Sequence, residues 1–441
     1  MLRKIVAEIC KAEQANTQDS SLIEECLYEA LLGAGYNSPN PFVCSLVVRG
    51  TEIVGKGIHR YFGKEHAERL ALQMAKERAK GATIYVNIEP CTHVGSQPPC
   101  TDAIIQAGIE KVVFGGYDTN PLTSRKSPKV LEEANIKVVG PTMPRAEALL
   151  NDAYHYCQRF GAPFVCLKLA ISLDGKIALE NRDSKWISGK VSRGYAHFLR
   201  QSLDAVMVGI GTVIFDNPRL TVRKPILKEF LGKDIERVSI RNPVRVIFDP
   251  KFSLFDEYDA VTQIKVAKES FNQSEEVATE VLQVAGPVPL NIFVKANPTR
   301  AGLPWLIITG SEDKWNSLKL KASEVEAMGV EIITLKAKDG NIEFTELWDK
   351  LAKLGIHSVL VEGGAGVAKR ILKRVEFARL DLVVAPIIVG ANGLGFSPDV
   401  PTEKLEQALR LKDTLSFQLN RDALIRGYSL DFLAQVPGRI R

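Results

Sequence analysis

The sequence predicts an α/β protein of two domains, a three-layer α/β/α domain followed by a second α/β domain. Three observations predict it. The chain has 441 residues, which at roughly 150 residues per domain gives two or three domains. Hydrophobic residues make up 45% and charged residues 25%, the balance of a chain that folds. Short apolar runs alternate with stretches of helical spacing along most of the length, as strand–helix–strand units do.

The elements follow in order. Residues 21–34 (SLIEECLYEALLGA) carry apolar residues at helical spacing, and the pattern stops at Gly33, Gly35, Asn37 and Pro39, which end helices and open turns. FVCSLVVR at 42–49 reads as a buried strand, and TEIVGKGIHRYFG as a second strand after a turn at Gly50. A helix is expected over 66–80, then a strand in ATIYVNIEP, a helix in TDAIIQAG ended by Gly108, and a strand in KVVFGGYD. KVLEEAN and IKVVG add a helix and a strand, and 144–162 reads as one helix closed by Gly161 and Pro163. The boundary is therefore placed between 1–160 and 161–441. In the second half, PFVCLKLAISLDG, DAVMVGIG, PVRVIFDP, PWLIITG, VEIITL, HSVLVEGG and LDLVVAPIIVG read as strands, and SRGYAHFLRQS as a helix. The charged, weakly periodic stretch 256–300 reads as an insertion in the second domain or as a small separate lobe.

Composition excludes several classes. Lys and Arg number 57 against 52 Asp and Glu, a net charge of +5, too mild over this length to imply a nucleic-acid binder without a local basic patch. No apolar run approaches the roughly 20 residues of a membrane span. The start, MLRKIVAEICKAEQ, lacks a long apolar h-region, so a cytoplasmic protein is expected. Seven cysteines are an odd number, which argues against a disulfide framework and for metal binding or burial. Cys44, Cys157 and Cys166 lie in apolar patterns and are expected in the core. His59, His155, His197 and His357 stand apart from any motif.

One cluster carries chemistry. HAE at 66–68 is followed by PCTHVGSQPPC at 90–100. His66, Cys91 and Cys100 offer one nitrogen and two thiolates, a donor set for one Zn²⁺ per chain with a fourth position left open. His93, in the same loop, would close the site and make it structural. Cys100 opens a predicted helix, whose dipole lowers a thiol pKa. Glu68, two residues past His66, is a carboxylate that can shuttle a proton. The pattern resembles the zinc base deaminases, H-x-E then P-C-x-x-C, except that eight residues separate the cysteines.

The second half carries LKLAISLDGKIA, SKWISG, VGIGTVIFDNPRLTVR and VLVEGGAGVAKRIL. The last sets glycines between a strand and a helix, where backbone N–H groups can cradle a phosphate. The dinucleotide fingerprint G-x-G-x-x-G is absent.

Together, PNP at 39–41 with its following strand, HAE, PC…PPC with eight residues between the cysteines, SLDGK with SKWISG, and GTVIFDNPRLTVR with LVEGG resemble the bifunctional riboflavin-biosynthesis deaminase–reductases of bacteria, over roughly 22–435. The resemblance implies a cytidine-deaminase-like domain followed by a dihydrofolate-reductase-like domain. It implies zinc-dependent deamination of a 2,5-diamino-6-ribosylamino-pyrimidinone 5′-phosphate, then NADPH-dependent reduction of the ribosyl group to ribityl. By motif, Glu68 is the catalytic residue and His66, Cys91 and Cys100 hold zinc. Ser184, Arg200, Leu220, Arg223 and Glu362 contact the reductase substrate. Ala170, Trp186, Thr212, Asp216 and the run Gly364, Ala365, Gly366, Val367, Ala368, Lys369 and Arg370 contact NADPH. Asp174 and Lys176 also fall at a family motif. The implied partners are the small pyrimidine ribotide and a second copy of the chain through the reductase domain, with no nucleic acid and no membrane.

The chain departs from the family at Cys44, Arg69, Leu70, Ser96 and Gln97, and in DTNPLTSRKS at 118–127, where the family carries D-P-N-P and later glycines. These changes lie around the deaminase pocket. They motivate one alternative, an active reductase beside an altered or inactive deaminase. A second alternative is a nucleic-acid base deaminase with a C-terminal recognition module, which would need a basic surface interleaved with aromatics.

Overall fold

The computed structural model describes residues 1–11, 13, 17–95, 97–256, 261, 292, 303–318, 325, 326, 329–338, 341–398 and 402–435. Most of 256–300, the expected insertion, lies outside them. The chain divides into two compact units. One comprises Met1–Gly161 with Leu231–Ser239 and Leu430–Arg441, and the other Ala162–Phe230 with Ile240–Ser429. Two segments of the second half thus belong to the first unit, which no composition shift in the sequence marks.

The first unit is a five-stranded mixed sheet with helices. Its strands are β1 (Cys44–Arg49), β2 (Glu52–Ile58), β3 (Thr83–Ile88), β4 (Lys111–Gly116) and β5 (Lys137–Val139), in the order β2-β1-β3-β4-β5. β1 runs antiparallel to β2 and β3, and β3, β4 and β5 are parallel. β1, β3 and β4 are buried along nearly every position, as continuous apolar strands covered on both faces must be. Helix Gln18–Leu32 starts at Thr17, whose hydroxyl accepts from Ser20 N–H at 3.2 Å, satisfying one orphan donor.

Two glycines of β2 set the position of helix Ala67–Ala75. A Cβ on Gly55 would lie 2.1 Å from Ala71 O, and one on Gly57 2.0 Å from Ala67 O. Only glycine lets the helix lie this close to the strand, and the start of that helix carries His66 and Glu68.

The expected single helix over 144–162 is two, Pro144–Leu150 and Asp152–Phe160. Asn151 interrupts it because its side chain is bound elsewhere. Its Oδ1 accepts from Phe42 N–H at 2.7 Å, and its Nδ2 donates to Phe42 O and Glu147 Oε1.

The second unit holds a nine-stranded sheet. Its strands, in chain order, are β6 (Phe164–Ser172), β8 (Ala205–Gly209), β9 (Val244–Phe248), β10 (Leu306–Ser311), β11 (Val330–Leu335), β14 (Ser358–Glu362), β15 (Arg379–Ala385), β17 (Lys412–Leu419) and β18 (Asp422–Tyr428). Two small pairs, β7 (Lys176–Ala178) with β16 (Leu394–Gly395) and β12 (Ala337–Lys338) with β13 (Asn341–Ile342), lie outside it. The order is β11-β10-β9-β8-β14-β6-β15-β18-β17. The first seven strands are parallel, and β18 and β17 add an antiparallel edge. That final hairpin is absent from the sequence reading, because KDTLSFQL is exposed at alternate positions and shows no apolar run.

The sheet buries a charge cluster. Asp381, fully buried, accepts from Tyr195 OH at 2.5 Å, Arg379 Nη2 at 3.0 Å and Arg426 Nε at 3.1 Å. The paired and hydrogen-bonded arrangement is what allows such charges inside.

Candidate active sites

In the first unit, β3 delivers Glu89, Pro90 and Cys91, helix Cys100–Gln106 begins on Cys100, and His66 caps helix Ala67–Ala75. His66 Nδ1 lies 3.6 Å from Cys91 Sγ and 3.4 Å from Cys100 Sγ, and the three ligand atoms all lie within 4.8 Å of one another. For Zn–S near 2.3 Å and Zn–N near 2.05 Å, a tetrahedral edge between S and N is about 3.6 Å. The donors fit zinc in chemistry and in spacing. Among the described residues this is the single such group, and it does not include His93, whose Nδ1 lies 3.0 Å from Thr123 Oγ1. Three protein donors therefore converge here.

The electrostatics favour the thiolate at Cys91. Its hydrogen bond with Cys100, and then His66, pulls the Cys91 thiol down to about 4. Cys91 and burial push Cys100 up. The contact with Cys91 raises His66 despite its burial. Glu68 is buried, and burial, followed by the charge on Cys91, raises its carboxyl above the ordinary glutamate range.

The residues around the donors hold them in place. Cys100 N–H donates to Cys91 Sγ at 3.3 Å and to Cys91 O at 3.1 Å. Arg69, one of the departures, reaches the carbonyls of Pro98 and Pro99 at 3.4 Å, so it braces the long loop between the cysteines. Glu89 accepts from the backbone N–H groups of Asp118, Arg125 and Ser127 and ties the 118–127 loop to the strand end before Cys91. Thr119, where the family has proline, contacts His155 Nδ1 at 2.9 Å, and His155 Nε2 meets Glu147 Oε2 at 2.8 Å. His59 and His155, unassigned in the sequence, are both buried beside these elements. His59 packs edge-on to His66 with ring centroids 5.4 Å apart, and its Nδ1 lies 3.0 Å from Glu65 O. Cys44 and Cys166 are fully buried as expected, whereas Cys157 is only half-buried.

In the second unit a cleft of about 570 Å³ opens at the carboxyl ends of parallel strands β8, β9 and β14, where ligands bind in such sheets. Ser184, Thr212, Asp216, Gly364, Ala365, Gly366, Val367 and Arg370 line it. So do Arg182 and Phe215, which the sequence did not single out, with the Arg182 guanidinium 4.2 Å over the Phe215 ring. Gly364, at φ +71°, caps helix Ala365–Arg374, and a Cβ there would lie 3.0 Å from Thr212 Oγ1. A glycine-built helix start facing a cleft of this size suits a pyrophosphate.

Four expected cofactor residues are placed elsewhere. Ala170, Trp186, Ala368 and Lys369 do not line the cleft. Ala368 is fully buried in the core because the helix turns it toward the sheet. Trp186 is 67% exposed, with Arg193 stacked 4.4 Å over it, so it is not a core aromatic. Asp174 ties its turn to the segment after β15, accepting from Ser172 Oγ, Val389 N–H and Gly390 N–H.

A second cluster adjoins the end of β14. Arg200 Nε and Nη2 bind Glu362 Oε1 and Oε2 at 2.8 and 2.5 Å. Burial opposes the Glu362 charge, but Arg200, with Lys168 and Arg223, holds its carboxyl below the ordinary range. Lys168 pairs in register with Glu362 across β6 and β14, and burial lowers its pKa. Leu220 is buried at φ +55°, and Arg223 is exposed.

Known proteins match both units. Residues 16–116 match the cytidine and deoxycytidylate deaminase zinc-binding region, and residues 163–425 match the RibD C-terminal domain. The chain is 36% identical over 408 residues to riboflavin biosynthesis protein RibD of Aquifex aeolicus, covering 92% of this chain and 97% of that protein. It is 30% identical over 396 residues to that of Escherichia coli, covering 90% and 95%. Acinetobacter baumannii RibD superposes with a TM-score of 0.69 at 29% identity, covering 93% of this chain and 98% of that one. A Thermotoga maritima structure superposes at 0.68 and 29% identity, covering 92% and 97%. It is named a diaminohydroxyphosphoribosylaminopyrimidine deaminase/5-amino-6-(5-phosphoribosylamino)uracil reductase.

Proposed function

The chain belongs to the RibD family of riboflavin biosynthesis, and from that premise we propose how its residues divide the work of a bifunctional deaminase and reductase. The first unit hydrolyses the amino group of 2,5-diamino-6-(ribosylamino)-4(3H)-pyrimidinone 5′-phosphate. The second reduces the ribosyl group of the product to ribityl with NADPH. The observation that carries this reading is the convergence of His66, Cys91 and Cys100 beside buried Glu68.

His66 Nδ1 and the two thiolates hold Zn²⁺, which when bound acts as a Lewis acid and makes water nucleophilic near neutral pH. The Glu68 carboxylate takes a proton from the attacking water and passes it to the ring nitrogen. It then takes the remaining proton of the hydroxyl added to the ring carbon and gives it to the amino group, which leaves as ammonia. The Glu68 carboxyl, raised above the ordinary glutamate range, accepts a proton more readily, which suits a proton shuttle. Burial keeps bulk water from competing for that proton.

In the second unit, the N–H groups around 364–367 cradle the cofactor pyrophosphate, and Thr212 and Asp216 contact the cofactor from the facing wall. NADPH supplies a hydride, and the protein orients it. Arg200 and Glu362 fix one another beside the ribosyl chain, while Arg223 offers a planar fork to the phosphate. Ser184 and Leu220 complete the substrate contacts.

The resemblance supports a homodimer through the second unit, and light scattering near 48.6 kDa would contradict it. A cytoplasmic enzyme fits a described chain in which no helix is long and apolar enough to cross a membrane. The reaction is tested by supplying the diamino ribotide to zinc-loaded protein. Ammonia is released without NADPH, and a ribityl product forms only when NADPH is added. Ribityl product without ammonia release would overturn the reading.

A further inference from the structure

His197 sits in helix Lys190–Ser202, 3% exposed, and the sequence gives it no motif. Its surroundings fix its tautomer. The backbone N–H of Arg223 points at His197 Nδ1 at 2.9 Å. A backbone N–H can only donate, so Nδ1 accepts and carries no proton. Burial, and then the charges of Arg200, Arg223 and Lys168, push the imidazole pKa down to about 2. The ring is therefore neutral, and its one proton is on Nε2.

Among the described residues, the neighbour of Nε2 at hydrogen-bonding distance is Arg223 Nη2, 3.4 Å away. A guanidinium nitrogen is also a donor and has no lone pair to accept with. Two N–H donors thus lie side by side with no acceptor between them. Arg223 has no carboxylate partner among the described residues, whereas Arg200 spends its fork on Glu362. The loop carrying Arg223 is held beside the His197 helix by three successive bonds to its backbone. Arg200 Nη1 donates to Thr221 O at 3.1 Å, Val222 N–H donates to Asn242 Oδ1 at 2.8 Å, and Arg223 N–H donates to His197. Such a pair of donors without an acceptor is what an oxyanion completes.

We propose that His197 Nε2–H and Arg223 Nη2–H jointly bind one oxyanion group, the phosphate of the pyrimidine ribotide, in the reductase site. This rests on the reductase reading above. His197 is then a substrate-binding group and not only a prop for the loop.

Two substitutions separate these roles. In His197→Asn, Oδ1 can replace Nδ1 as the acceptor for Arg223 N–H, but the Nε2 donor is lost. In His197→Gln, the amide N–H can replace Nε2–H, but the Nδ1 acceptor is lost. The measurement is KM for the pre-deaminated ribotide against KM for the same compound without its phosphate, with turnover of the unphosphorylated compound confirming that the second unit of each variant is folded. We expect His197→Asn to raise KM for the ribotide about tenfold to a hundredfold, as loss of a hydrogen bond to a charged group does. It should leave the riboside KM unchanged, and His197→Gln should retain most of the discrimination. If His197→Asn keeps the wild-type preference for the phosphorylated compound, the proposal is wrong. If Arg223→Gln also keeps it, the phosphate lies elsewhere and the underlying reductase reading fails as well. A readout independent of turnover is the imidazole ¹⁵N spectrum. It should show a protonated Nε2 and a bare Nδ1, with Nε2 shifting on addition of inorganic phosphate. A proton on Nδ1 would overturn the proposal whatever the variants do.

Discussion

Arg200 and Glu362 stand 162 residues apart in sequence and meet in a two-pronged ion pair with both side chains nearly buried. The pair joins the helix after SKWISG to the end of β14, so it fixes the orientation of both side chains there. A planar fork makes both bonds and an ammonium cannot.

Arg200→Lys should therefore behave as a loss. We expect kcat/KM for the pre-deaminated ribotide to fall about a hundredfold and stability to fall by about 2–3 kcal/mol, somewhat less than for a fully buried pair. Glu362→Gln should do much the same, and the double variant should be less impaired than the sum of the two. Steady-state kinetics and chemical denaturation check both.

Cys91→Ser should lower zinc content from one per chain to well below one. Ammonia release should vanish, while NADPH oxidation with pre-deaminated substrate stays at the wild-type rate. Metal analysis beside the two assays separates this outcome from global unfolding, which would remove both activities.

Gly364→Ala places a side chain at φ +71° and 3.0 Å from Thr212 Oγ1. The left-handed backbone alone costs about 1–2 kcal/mol. We expect KM for NADPH to rise about tenfold, with deamination untouched, as measured by cofactor titration.

Asp381→Asn removes the charge that balances Arg379 and Arg426 in the core and should cost about 3–5 kcal/mol. The same carboxyl shapes the acid limb. Burial opposes its charge, but Arg379 and Arg426 hold it below the ordinary aspartate range. Its contribution is complete above that range and is lost as pH falls through the lower folded value. The variant's stability should accordingly vary less with pH on the acid side, as seen in thermal melts.

The donor cluster of His66, Cys91 and Cys100 was legible because metal chemistry demands His and Cys, and the sequence puts them at a helix start and a strand end. The parallel strands were legible as apolar runs. What stayed hidden is non-local. His197 looks isolated because its partner, Arg223, is 26 residues away. Arg182 and Phe215 carry no signal of their own in the sequence, and only the fold stacks them at the cleft. Glu147 and His155 look unrelated until the break at Asn151 brings them together. Ala368 was carried into the cofactor set by motif, although its helical phase sends it to the core.

The central claim is that two units perform consecutive reactions, the first through Glu68. Its most direct test is NADPH oxidation by zinc-loaded Glu68→Gln, supplied in turn with the diamino ribotide and with its deaminated product. The account predicts wild-type oxidation with the product and none with the diamino compound, while the unaltered enzyme uses both. Equal oxidation of the diamino compound by Glu68→Gln and the unaltered enzyme would contradict it, because reduction would then not wait on the proton shuttle.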